Sequence, residues 1–60
     1  MFEENQKLIW FDTKNNRKVN CKFREPYGKN SSLVYLYTKQ WMPFGDKLVD
    51  NKDLEEHKEV

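Results

Sequence analysis

The stretch RKVNCKFR, residues 17–24, alternates without a break: Lys18, Asn20, Lys22 and Arg24 fall in one register, Val19, Cys21 and Phe23 in the other. A period of two is that of a half-buried β-strand, here with one apolar face and one face carrying a row of cations. Upstream, KLIWFDT (residues 7–13) is β-branched and aromatic enough to be a strand of its own. Lys14-Asn15-Asn16 between them is turn chemistry, because asparagine tolerates positive φ better than other non-glycine residues. A β-hairpin over residues 7–24 is the element from which the rest of the reading works outward.

Two registers are open to that hairpin. A two-residue Asn15-Asn16 turn sets Trp10 opposite Cys21 and Leu8 opposite Phe23, so that Ile9 and Phe11 share the face of Asn20 and Lys22. A three-residue loop sets Phe11 opposite Val19 and Ile9 opposite Cys21, and Trp10 then joins the lysines. In either register one large ring, Trp10 or Phe11, lies on the basic face.

Downstream, Glu25-Pro26-Tyr27-Gly28 and Met42-Pro43-Phe44-Gly45 both read x-Pro-aromatic-Gly, a pattern that fits a type I turn and predicts the end of a strand at each. Their flanks do not match, so this is one turn chemistry used twice and not an internal repeat. Asn30-Ser31-Ser32 reads as a loop, LVYLYTKQW (33–41) as the third and central strand, and DKLVD (46–50) as a short fourth. In the tail, DNKDLEEHKEV, Asp50 or Asn51 can cap one or two helical turns. The expectation is a mainly β domain: a small antiparallel sheet or SH3-like small barrel of three to five strands with a short C-terminal helical tail. It forms one domain over 1–60, frayed at 1–6 and 55–60.

Sixty residues bury only about 60% of the surface an unfolded chain exposes, so such a domain is marginal unless something staples it. A single cysteine, Cys21, excludes an internal disulfide, and one cysteine with one histidine, His57, cannot close a four-ligand zinc site. Aromatics at 15% of the chain supply much of any core, or a partner completes it, a second copy of the chain included. The longest apolar run, LVYLY, is too short to span a bilayer, and MFEENQK is not a secretory leader. A cytoplasmic protein with no membrane partner is the expectation, which also suits a lone thiol. The abundance of Asn and Lys suits an AT-rich bacterial or phage genome.

The net charge of +1 hides a segregation. Residues 14–29 carry six cations (Lys14, Arg17, Lys18, Lys22, Arg24, Lys29) against one acid, Glu25, whereas residues 46–60 carry six acids against three lysines. The basic hairpin can be a solvated surface, meet the acidic tail as an internal counter-ion, or face an acidic partner. Lysines along a strand also discourage edge pairing.

On the third strand Val34 and Leu36 are expected inward and Tyr35 and Tyr37 outward, where two hydroxyls are easily satisfied. One face then gathers Trp10 or Phe11 with Lys18, Lys22, Arg24, Tyr35 and Tyr37. Trp41 and Phe44 flank the second proline turn, either as a plug at one end of the core or as exposed anchors. Cys21 alternates with Val19 and Phe23 and is expected to be a small buried hydrophobe.

No nucleophile–base pair, glycine-rich phosphate loop or metal-ligand spacing is present, so neither catalysis nor a cofactor is expected. The reading that follows is a small non-catalytic protein that binds another protein, as an inhibitor or modulator, through Trp10, Phe11, Lys18, Lys22, Arg24, Tyr35, Tyr37 and Trp41. A nucleic-acid-binding small barrel using the same face is the alternative.

Overall fold

The computed structural model describes residues 2–57. Among them lie five strands: β1 (Lys7–Asp12), β2 (Arg17–Tyr27), β3 (Ser31–Tyr37), β4 (Pro43–Asp50) and β5 (Leu54–Glu56), with one 3-10 turn, Asn51–Asp53, between the last two. All pair antiparallel in a single sheet of order β4-β3-β2-β1-β5. The strand at the centre is therefore β2, the basic one, and not the third strand. From Asn20 onward β2 has a neighbour on each side, so Lys22 cannot serve as an edge guard; Lys18, which pairs with β1 alone, lies at an edge.

The β1–β2 loop has four residues, 13–16, and the pairing is Trp10↔Val19, Leu8↔Cys21 and Phe11↔Lys18. This register is shifted by two from that of a two-residue turn and keeps its parity, so Trp10 belongs to the apolar face and Phe11 to the basic one. Asp12 organises the loop. Its carboxylate accepts from the Asn15 side-chain amide at 2.8 Å, the Asn15 N–H at 3.4 Å and Arg17 Nε at 3.3 Å. Asn16 takes the left-handed conformation the loop needs, at φ 51°.

The first proline motif ends a strand as expected, whereas the second begins one. Pro26 and Tyr27 end β2 opposite Ser32 and Ser31, and the chain turns at residues 28–30, with Gly28 at φ 78°. Pro43 opens β4 after a turn over residues 38–42. Ser31 and Ser32, expected in a loop, begin β3.

The helical tail is replaced by the single 3-10 turn followed by β5 on the free edge of β1, with Leu54 opposite Trp10. The cap is real, since Asp50 Oδ1 accepts the Lys52 N–H at 3.1 Å, but burying Leu54 in the core ends the turn after three residues. Residues 58–60 of the expected tail lie outside the described ones.

One face of the sheet makes the core: Leu8, Trp10, Val19, Cys21, Phe23, Val34, Leu36, Val49 and Leu54, with Phe2 packed against Phe23 at 5.9 Å between ring centroids. Leu8, Cys21 and Val34 are fully shielded, at 0% exposure. A single sheet achieves this only by curling. In a flat sheet β4 and β1 would stand about 14 Å apart, yet Lys47 Nζ of β4 sits 5.3 Å from the Trp10 ring centroid of β1. The curl does not close an SH3-like barrel: β4 and β5 remain unpaired edges, joined only through the 3-10 turn. That turn is pinned to the start of β3, since the Asn51 N–H donates to the Asn30 carbonyl at 2.8 Å and the Ser32 hydroxyl donates to Asn51 Oδ1.

Candidate interaction face

The reverse face of the sheet collects the other register of every strand. Across its middle run Asp46, Tyr35, Lys22 and Lys7, each Cα-paired with the next, and beside them Tyr37, Asn20, Ile9 and Glu55. Phe11 and Lys18 form the next pair. As expected, Val34 and Leu36 point into the core, and Tyr35 and Tyr37, half-buried, lie on the basic side.

Each cation of this face is held by a ring or an acid. Lys22 Nζ lies 5.0 Å from the Tyr37 centroid and 5.9 Å from that of Trp41, and Lys7 Nζ lies 4.8 Å from Trp41. Arg24 is the extra residue of a bulge between Phe23 and Glu25, which frees its side chain to stack 5.3 Å from the Tyr35 ring and donate to the Tyr35 hydroxyl. Lys18 Nζ meets Glu55 at 3.5 Å, both well exposed. The acidic tail thus docks on the basic hairpin, edge to edge through β5 and by this one exposed pair.

Trp41 is the unusual member. It follows a tight turn in which its N–H donates to the Thr38 carbonyl at 2.9 Å and the Thr38 N–H donates to the Met42 carbonyl at 2.9 Å. Its φ is 62°, a left-handed conformation usually given to glycine at that point of a hairpin. From there the indole folds back over the basic face, tilted against Tyr37 at 5.6 Å and edge-on to His57 at 5.2 Å. It is no plug of the core, and neither is Phe44, which is 54% exposed.

Seven of the eight residues expected on one face, Phe11, Lys18, Lys22, Arg24, Tyr35, Tyr37 and Trp41, are brought together there. Trp10 is not; it is buried in the core on the opposite side. Two members were missed. Lys7 was legible, since it shares the period-two register of Ile9 and Phe11. His57 gave no signal, because only the β5 pairing, continued by the His57 N–H to the Lys7 carbonyl at 3.2 Å, brings the tail beside Trp41.

No group of three or more His, Cys, Asp or Glu among the described residues could hold a metal ion. Burial pushes the Cys21 thiol up to about 12, far from a reactive thiolate. Hydrogen bonding from Asn15 holds the Asp12 carboxyl below its ordinary value against the opposing effect of burial, with Arg17 adding to the lowering. Among the described residues no helix is long and apolar enough to cross a membrane. No protein-family model, curated protein or solved structure matches the chain.

Proposed function

We propose that this chain is a non-catalytic binding protein that engages an acidic surface of another protein through the face carrying Phe11, Lys18, Lys22, Arg24, Tyr35, Tyr37 and Trp41, in a cytoplasmic setting and as an inhibitor or modulator of its partner. The carrying observation is the gathering of four rings and three cations on one face over which, among the described residues, no second layer of secondary structure lies. Rings with arginine nearby are the usual anchors of protein interfaces.

Nucleic acid is the rival. Base stacking asks for open ring faces, whereas Tyr35, Tyr37 and Trp41 each already have a cation over one face. That favours a protein, with the rings as edges and hydrogen-bonding tips.

The test is affinity purification from the native host with a nuclease-treated parallel, repeated with Lys22→Glu and Arg24→Glu. A stoichiometric protein that survives nuclease and is lost with either variant supports the reading. Capture that disappears with nuclease, or a protein held equally by the variants, refutes it.

A further inference from the structure

Beyond the end of β3 the sheet has a step. β2 begins at Arg17, but its pairing with β3 starts only at Asn20↔Tyr37, so Arg17, Lys18 and Val19 pair with β1 alone. β3 stops at Tyr37 and the chain turns away. Along an antiparallel ladder successive residues direct their main-chain groups to alternate sides. Phe23 donates its N–H to the Gln6 carbonyl on the β1 side. Val19 and Arg17 share that parity, so the N–H and C=O of Lys18 point to the side where β3 has ended.

The step opens a cleft of about 590 Å³ whose walls include Arg17, Lys18, Lys39, Tyr37 and Phe44, and no carboxylate lines it. Arg17 spends only Nε on Asp12, and Lys39, in the exposed turn, makes no ion pair among the described residues. Phe44 is the extra residue where the β3–β4 register shifts, which turns its ring out to the cleft. Among the described residues no main-chain partner meets the Lys18 N–H and C=O, and strand addition uses such an exposed edge for main-chain bonds and adjacent surface for side-chain specificity, here an apolar wall and flanking cations.

We propose that this step is a strand-addition site for an extended acidic segment of a partner protein, in which one residue of the segment takes both main-chain groups of Lys18 while neighbouring carboxylates meet Arg17 and Lys39 and an apolar side chain rests on Phe44. A phosphodiester backbone offers acceptors only and would leave the Lys18 carbonyl unmet, so a peptide fits better than a nucleic acid. The proposal rests on the partner being a protein, but it names a surface at the end of the sheet that adjoins the ring-bearing face at Tyr37 and Lys18 and adds Arg17, Lys39 and Phe44.

The test is a titration of the full chain with a terminally blocked peptide of alternating glutamate and valine, followed by ¹⁵N–¹H spectra and amide hydrogen exchange. A glutamine–valine peptide and oligothymidylate serve as comparisons. The acidic peptide is expected to shift the amides of Lys18, Val19, Lys39 and Phe44 and to slow exchange of the Lys18 N–H, and Lys39→Glu is expected to weaken it about fivefold, as for one exposed ion pair. Absence of those shifts, unslowed Lys18 exchange, or a response to oligothymidylate but not to the peptide overturns the proposal. Lys22→Glu separates the two readings. If it abolishes capture of a protein partner while the peptide fails to bind, the site falls and the binding face stands; if the peptide binds and no partner is captured, the reverse holds.

Discussion

Trp41 permits a comparison whose sign can be worked out in advance. Its φ of 62° costs a residue with a Cβ about 1–2 kcal/mol. Against that stand two aromatic contacts, to Tyr37 and His57, worth about 0.5–1.5 kcal/mol each. The ammonium of Lys7 at 4.8 Å adds about 0.5–1 kcal/mol, and that of Lys22 at 5.9 Å adds little. Trp41→Ala loses the ring and keeps the strain, for a loss of about 2–3 kcal/mol. The whole stability of a chain this short is about 3–9 kcal/mol. Trp41→Gly loses the same contacts but sheds the strain. Glycine returns about 0.4–1 kcal/mol of that through its freer unfolded chain, so the glycine variant should exceed the alanine one by about 1 kcal/mol. Urea unfolding followed by circular dichroism, with Trp10 as the remaining indole probe, measures both. An alanine variant as stable as the glycine one refutes the strain, and a glycine variant as stable as the parent refutes the stabilising role of the indole.

Two further perturbations follow from the titrating groups. The Asp12 carboxyl is held below 3.8, so as pH falls through that region the unfolded chain takes up a proton before the folded one does and stability drops; Asp12→Asn should flatten the acid side of a pH–stability curve and leave the neutral region less stable than the parent. An unchanged acid limb would rule out Asp12 as its source. Cys21, fully shielded and with its thiol pushed up to about 12, should react with a thiol reagent only as fast as the chain opens, and Cys21→Ser should lose about 1–3 kcal/mol by leaving a hydroxyl unsatisfied in the core. Rapid labelling under native conditions would contradict this.

How much of this was legible depends on what a period-two pattern encodes. Alternation assigns parity, so the division of Val19, Cys21 and Phe23 from Lys18, Asn20 and Lys22 could be read directly, and with it the placement of Tyr35 and Tyr37. It does not encode offset. The offset came from Asp12, whose carboxylate organises a four-residue loop, a contact that turn propensities centred on the asparagines do not contain. The tail shows a conflict between local and tertiary preference: the cap at Asp50 signals a helix, but Leu54 is needed opposite Trp10, and a helix could not bring it there. The first proline motif does mark the end of β2 at Tyr27, but the second misled, because proline at a strand end is as compatible with the start of an edge strand as with a turn. Trp41 was legible as a candidate anchor, but the choice between that role and a plug of the core was not, since it follows from a left-handed φ that no residue pattern around it announces.

The cation row of β2 can now be explained. A lysine beside a carboxylate is positioned and neutralised together; a lysine over a ring is positioned with its charge intact. On this face Lys18 meets a carboxylate, the exposed Glu55, while Lys22 and Arg24 are held by Tyr37 and Tyr35 and make no ion pair among the described residues. The rings therefore keep the charges of Lys22 and Arg24 ordered on the sheet without cancelling them. Such a face retains its attraction for anions out to about a Debye length, ~8 Å at physiological salt, and long side chains held against rings lose less freedom when they meet a ligand. The same arrangement predicts the chemistry of what binds there: with the ring faces occupied by cations and the charges unspent, the complementary groups are carboxylates backed by apolar surface, and the β2 step at Lys18 extends that preference to the end of the sheet.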